Sequence, residues 1–403
     1  MICILGRQPA IGMAELESRY GADSLTFVAP DAAQLDIAVE PAVFEQLGGI
    51  QKTGQIISVV DTVDWHKLSS PIKKVVTQIL KEAPAGKITL GISLYGVRAN
   101  PSQVSVAALS LKKIIKQNGR PARIVPNKKI ELNTAQVLHN KLALPNGIEI
   151  LLIQRGSQTI IARTVWVQDI EAYRRRDQER PMRDARVGML PPKLAQIIIN
   201  LARTESSTPA KNPNAAVSLN FNETKISDVL LDPFCGTGVV LQESMLMGLT
   251  AYGTDLEPRM VEYTNKNLEW LNNTNYKTKA IVADATSYTW QPSPSFIASE
   301  TYLGRPLSSQ PDPQTLLKII HDCNVIHKKF LQNVATQTKP GFRLCLAVPA
   351  WRVGKVFKHL PILDHPEKLG YNRVSFSHAK TSDLIYHREG QIVARELVVL
   401  TRK

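Results

Sequence analysis

The chain has 403 residues, 43% of them hydrophobic and 21% charged, and a formal net charge of +14. This composition excludes a disordered chain, and the length fits two or three domains, each with its own core. No apolar run approaches the roughly 20 residues that cross a bilayer, residues 1–8 lack the layout of a signal peptide, and Cys3, Cys235, Cys323 and Cys345 form no Cys-x-x-Cys pair. Neither a disulfide framework nor a metal site is expected, and a reducing, cytoplasmic setting fits best. The charge is unevenly spread: −4 over residues 1–60, +10 over 61–170, +3 over 171–228 and +5 over 229–403. A local basic excess is the footprint of a polyanionic partner, although a solvated lysine-rich surface gives the same count.

Residues 1–60 read as a small ferredoxin-like α/β subdomain with turns at Gly6, Gly12 and Gly21. Residues 61–170 read as a second unit. Its segment 87–95 alternates as a half-buried strand does. Segment 105–117 has a helical period, with Ala107, Leu111, Ile114 and Ile115 on one face and Lys112, Lys113 and Lys116 off it, and Asn118-Gly119 stops it. A basic strand carries Arg120, Arg123, Lys128 and Lys129 around Ile124 and Val125. A helix over 132–142 and strands over 148–153 and 159–167 complete the unit. This order, with Gly91-Ile-Ser-Leu-Tyr-Gly96 and Asn133-Thr-Ala-Gln-Val-Leu-His-Asn-Lys141, resembles the THUMP domain. The resemblance implies an α+β RNA-binding region that holds the end and acceptor region of tRNA. His139, inside the helix, is expected to be structural.

Residues 171–202 read as a basic hinge and a helix leading into the next domain. The hinge carries Arg174, Arg175, Arg176, Arg180, Arg183 and Arg186, and RNA contact and a solvated linker are both open readings for the arginine triplet. From Pro191-Pro192 a helix runs with Leu194, Ile197, Ile198 and Leu201 on one face. Residues 203–226, rich in Ser, Thr, Asn and Pro, read as a flexible insert.

From residue 227 to 403 strands and helices alternate: strand 229–232, helix to 247, strand 250–255, helix 258–271, strands 279–284 and 295–300, helix 313–334, strand 342–349. Such alternation builds a doubly wound, mostly parallel sheet. A hairpin over 383–400, turning at Glu389-Gly390, is expected to add a seventh, antiparallel strand at the edge.

The most informative stretch is Val229-Leu-Leu-Asp-Pro-Phe-Cys-Gly-Thr-Gly-Val239. An apolar strand ends in Asp232, then Gly236 and Gly238 precede a helix, which is where open α/β sheets bind cofactors. A dehydrogenase fingerprint would need a third small residue where Leu241 stands. A carboxylate at the strand end suits a cationic, hydroxyl-rich ligand, which points to S-adenosylmethionine. The chain here resembles class I (Rossmann-like) methyltransferases. Its Asp-Pro-Phe-Cys-Gly-Thr-Gly form is similar to the tRNA guanine-N2-methyltransferases that carry a THUMP domain. The resemblance implies that Asp232 holds the methionine moiety, Asp255 the ribose hydroxyls and Asp284 the adenine amino group. Phe234, Gly236, Thr237, Gly238, Leu256 and Ala285 complete that expected cofactor site. Residues 186–195 would cover the methionine end.

The same family carries (Asp or Asn)-Pro-Pro-(Tyr or Phe) after its fourth strand. This chain has Ser299-Glu-Thr-Tyr-Leu-Gly304 there, without either proline. An exocyclic guanine amine needs two acceptors to hold its protons and an aromatic ring to stack on the flipped base. Glu300 and the Thr301 carbonyl would be those acceptors and Tyr302 the ring. An alternative alignment puts Ser299 at the acidic position. The implied activity is methyl transfer to guanosine N2, at position 10 of tRNA. A silent RNA-binding protein with a relic cofactor fold, an enzyme acting on ribosomal RNA or another tRNA site, and a need for an activating protein partner all stay open.

Overall fold

The computed structural model describes residues 1–184, 189–203, 229–271 and 278–403. The expected flexible insert, apart from Arg203, lies outside the described residues, as does Arg186.

In the first half the strands are β1 (Ile2–Leu5), β2 (Leu25–Ala29), β3 (Ala32–Leu35), β4 (Ile50–Val60), β5 (Ile88–Tyr95), β6 (Ala122–Ile124), β7 (Gly147–Arg155) and β8 (Gln158–Val167). The helices are α1 (Pro9–Tyr20), α2 (Trp65–Glu82), α3 (Pro101–Gln117) and α4 (Thr134–His139). The strands form one sheet in the order β2-β3-β1-β4-β8-β7-β5-β6. The two units expected from sequence are therefore joined, because the long β4 pairs antiparallel with β8. Helix α3 starts four residues earlier than its apolar period suggests, since Asn100 and Gln103 form a reciprocal capping box. The expected helix over 132–142 is shorter, and Asn133 and Gln136 cap it in the same way.

The expected hinge is ordered as helix α5 (Ile170–Gln178), whose first turn is capped by Asp169. Helix α6 (Pro192–Ala202) follows, and nearly all of its residues are buried. The apolar residues of α6 pack into the core, and its polar residues Gln196 and Asn200 are buried against hydrogen-bond partners, Glu243 and Glu15. Helix α6 packs between α1 and the second sheet, so Ile11 and Ala14 share one apolar cluster with Ile198, Leu230 and Leu397. Polar contacts fix the junction. Asn200 donates to the Glu15 carboxylate at 2.7 Å, the backbone N–H groups of Ser377 and His378 donate to Glu17, and Arg343 donates to the Leu201 carbonyl and to Ser18.

The second half contains β9 (Val229–Asp232), α7 (Val239–Leu246), β10 (Thr250–Asp255), α8 (Pro258–Leu271), β11 (Lys279–Val282), β12 (Phe296–Glu300), α9 (Pro313–Gln337), β13 (Arg343–Val353), β14 (Val356–Lys358), β15 (Tyr371–Arg373), β16 (Ile385–Tyr386) and β17 (Val393–Arg402). The sheet order is β11-β10-β9-β12-β13-β17-β15. The first five strands in that order are parallel, and β17 runs antiparallel to β13. The antiparallel strand is thus present but not at the edge, because β15 and β16 both pair with its outer side. Strand order reverses at β9, which has β10 on one side and β12 on the other, and this opens a crevice at the carboxyl ends of β9 and β12. Among the described residues no helix is long and apolar enough to cross a membrane.

Candidate active site

A cavity of about 820 Å³ opens at that crevice. Of the residues expected to hold a cofactor, Asp232, Phe234, Gly236, Thr237, Asp255, Leu256, Asp284 and Ala285 line it. Gly238 does not. It caps α7 with φ +84, and a Cβ there would sit 2.8 Å from the Thr264 side chain, so its role is close packing of α7 on α8. Gly236 has φ +53, and a Cβ added there would meet nothing within 4 Å. Its missing side chain leaves open space beside the turn.

Asp232 is almost fully buried. Its Oδ1 accepts from the Ser299 hydroxyl at 2.6 Å and, more weakly, from the Phe234 N–H at 3.4 Å. Burial pushes its carboxyl up to about 8, an effect that the Ser299 hydrogen bond only partly offsets. A buried carboxylate with no cation beside it among the described residues is a site that a positive ligand would relieve. Asp255 accepts from the Gly236 N–H at 2.9 Å and the Glu257 N–H at 3.0 Å, which ties the end of β10 to the glycine turn. Burial raises its carboxyl too. Strand β11 stops at Val282, so Asp284 lies two residues beyond the expected strand end. It is exposed and accepts from the Thr286 N–H and hydroxyl, each at 2.8 Å. Leu256, 69% exposed, stands on the cavity wall between these carboxylates.

The proline-free segment after β12 forms the other wall. Glu300, Thr301 and Tyr302 all line the cavity, whereas Ser299 faces Asp232 beneath it. Glu300 Oε1 accepts from Arg395 Nε at 2.6 Å, across the sheet from β17. Its side chain is 16% exposed, and burial raises its carboxyl against the opposing pull of Arg395. Among the described residues Oε2 of Glu300 has no hydrogen bond. Thr301 is held twice: its N–H donates to the Ala347 carbonyl at 3.1 Å, and its hydroxyl contacts His327 Nε2 at 2.7 Å. His327 Nδ1 lies 2.7 Å from the Cys323 carbonyl, which only accepts, so the proton sits on Nδ1 and Nε2 accepts from Thr301. Burial brings the imidazole down to about 4, which keeps this neutral tautomer. Tyr302 is 42% exposed at the cavity mouth, beside Val325, Ile326 and Lys329 of α9.

Sequence reasoning missed Arg395, His327 and the α9 wall. Arg395 is 95 residues from Glu300 and His327 is 26 from Thr301, so tertiary packing brings them in and no local pattern marks them.

The candidate RNA contacts divide. Lys113, Lys116, Arg123, Lys128 and Lys129 are exposed and Lys112 is half-buried. Arg120 is committed elsewhere. Its guanidinium donates to the carbonyls of Ala83, Pro84 and Gly86 and to Asn146, closing the loop before β5. The arginine triplet lies in α5, with Arg174 and Arg175 exposed and Arg176 half-buried. Arg174 pairs with Glu171 and Glu179, and Arg175 lies over the Trp270 ring. Arg176 makes a two-pronged bond to the buried Glu243 of α7, at 2.7 and 3.2 Å, and is spent on holding α5 to the second half of the chain. Among the described residues no group of three His, Cys, Asp or Glu side chains is placed to hold a metal ion.

Residues 203–357 match the family described as RMKL-like, methyltransferase domain. The chain is similar to the tRNA (guanine(10)-N2)-dimethyltransferase of Methanothermobacter thermautotrophicus, with 30% identity over 135 residues, 34% of this chain and 37% of the relative. It is also similar to the enzyme of that name from Methanocaldococcus jannaschii, with 28% identity over 160 residues, 40% of this chain and 36% of the relative. The chain therefore spans little more than a third of the length of these curated relatives. Across the whole chain the fold is similar to the crystal structure of TrmN from Thermus thermophilus, at 13% identity and a TM-score of 0.52, covering 100% of this chain and 99% of that one.

Proposed function

We propose that the chain transfers a methyl group from S-adenosylmethionine to the exocyclic N2 of a guanosine in tRNA, at position 10. The observation that carries this reading is the convergence of Asp232, Asp255, Asp284 and the open Gly236 turn on one cavity with the Glu300–Tyr302 segment. The names of the curated relatives support the substrate.

The residues fit the cofactor. Asp232 is a buried carboxylate in want of a cation and would hold the amino-acid end. Asp255 would accept from ribose hydroxyls, and Asp284 and Leu256 would meet the adenine edge and face. Bound there, S-adenosylmethionine supplies a methyl carried by an electron-poor sulfonium. The protein's share of the work is positioning. Arg395 holds one oxygen of Glu300 and leaves Oε2 to accept a proton of the guanine amine. The Thr301 carbonyl accepts a hydrogen bond from the second N–H, so the nitrogen lone pair faces the donor, and the carboxylate of Glu300 takes up the one proton that the amine loses. Tyr302 stacks on the base after it is flipped out of its helix. The exposed cations of the first half supply phosphate contacts, which would make that THUMP-like region the RNA-holding unit. Four free, buried cysteines suit a reducing cytoplasm.

The test is transfer of labelled methyl to unmodified tRNA transcripts, followed by nucleoside analysis. Label in N2-methylguanosine supports the reading. Label in another nucleoside, or in ribosomal RNA alone, changes the target. Tight tRNA binding without transfer would favour a silent RNA-binding protein.

A further inference from the structure

A second cavity, of about 700 Å³, lies between the two halves of the molecule. Gly6, Gly48 and Gly49 line it together with Gly12, which lies within α1 and not at the turn expected from sequence; the start of α4 and α5 form one wall, and α6 and the segment after β16 form the other. Its charged lining is Arg7, Arg174, Lys193 and Arg388 against a single carboxylate, Asp177. Two of the cations are partly engaged: Arg7 donates to the His387 carbonyl at 2.7 Å, and Arg174 pairs with glutamates of its own helix.

Lys193 and Arg388 differ from these. The Lys193 ammonium is half-buried, donates to the Gln168 side-chain oxygen and lies 5.1 Å from the centre of the Tyr173 ring. No carboxylate among the described residues pairs with it. Burial pushes this ammonium below its ordinary value with no charge to oppose the shift. Withdrawing a cation from water without an anion is costly, and an incoming phosphate removes that cost. Arg388 is exposed on the loop after β16, and no partner for its side chain occurs among the described residues.

The location is specific. Leu190 lines the methyltransferase cavity, and Pro191, Pro192 and Lys193 line this cleft. Three residues of extended chain span at most about 10 Å, so the two cavities adjoin across one short strap.

We propose that this cleft is a phosphate site that receives the backbone of the RNA substrate next to the reacting guanosine, with Lys193 and Arg388 as its principal cations. This inference rests on the RNA methyltransferase reading. It places the RNA path along the junction of the two halves, beyond the lysine-rich face of α3.

The test measures binding of an unmodified tRNA transcript to the full chain across about 50 to 300 mM salt, for wild type, Lys193→Met and Arg388→Gln. Methionine keeps the apolar stem over Tyr173 and removes only the charge. Each variant is expected to weaken binding roughly tenfold and to reduce the salt slope by about 0.7 to 0.9, the share of one phosphate contact. Cofactor binding and thermal unfolding serve as controls for the fold. Unchanged affinity and slope in both variants would overturn the proposal. Inorganic phosphate as competitor separates the sources: a wild-type cleft that binds phosphate through Lys193 while tRNA binding ignores both cations would assign it to a free phosphate and overturn the RNA path. The methyltransferase reading is tested separately by transfer. Transfer with unaltered RNA binding in the variants removes the cleft alone. Cation-dependent RNA binding without transfer removes the enzyme alone.

Discussion

At the residue scale, the account turns on Asp232 and Glu300. Asp232 is neutral below about 8 because burial outweighs its one strong hydrogen bond. A cationic ligand favours the ionised form, so binding releases a proton. Affinity for S-adenosylmethionine should therefore rise with pH from about 6 and level off above about 8, and titration calorimetry in buffers of different ionisation enthalpy would detect the released proton. A pH-independent affinity would remove Asp232 as the cation's partner. The sign for stability is opposite. A carboxyl raised above its unfolded value stabilises the fold when protonated, and that contribution declines as pH climbs from about 4 toward about 8. For Glu300, replacement by Gln should lower turnover by one to three orders of magnitude with little change in tRNA affinity. A wild-type rate would reassign it as a partner for Arg395 only. Replacing Thr301 by Val strips His327 Nε2 of its donor in a buried site. It should cost roughly 1 to 3 kcal/mol and lower kcat more than it raises KM, because the segment loses one of its two anchors.

At the element scale, the strand–turn–helix at β9 and α7 was legible because each part has a local cause. An apolar run ends in a carboxylate, and glycines occupy the left-handed positions of the turn. The two glycines nevertheless do different work. Gly236→Ala places a methyl in open cavity space and should weaken cofactor binding while sparing most of the fold. Gly238→Ala drives a methyl into Thr264 and should lower the thermal midpoint before it touches binding. Comparing the two variants by calorimetry and by cofactor titration checks this division. Element ends were less legible. The capping box at Asn100 extended α3, and β11 stopped before Asp284, since caps and strand ends depend on side-chain contacts that periodicity does not encode. The segment after β12 departs from the expected proline motif. Its rigidity comes from Arg395 on β17 and His327 on α9, both distant in sequence and invisible to any local reading.

At the scale of the whole molecule, the two halves are locked by buried polar contacts and a shared apolar cluster around α6. The Arg176–Glu243 pair is one such lock, and sequence alone left Arg176 open between RNA contact and a solvated linker because a run of arginines carries no record of the glutamate 67 residues away. Glu243→Ala leaves the half-buried Arg176 guanidinium without its carboxylate and removes one partner of Gln196, and should destabilise the chain by about 1 to 3 kcal/mol, measured by denaturant unfolding. A surface-like cost below 1 kcal/mol would show that the junction is held by apolar packing alone. The uneven charge, by contrast, was visible from composition, and it matches a molecule whose first half presents exposed lysines and whose junction cleft collects cations.

The central claim is methyl transfer to one guanosine of tRNA, and it is tested most directly by paired transcripts. Full-length protein and labelled S-adenosylmethionine are incubated with an unmodified tRNA transcript and with the same transcript carrying adenosine in place of guanosine 10. Label is expected as N2-methylguanosine in the first transcript and none in the second. Equal labelling of both, or no labelling of either despite bound cofactor and bound tRNA, would contradict it.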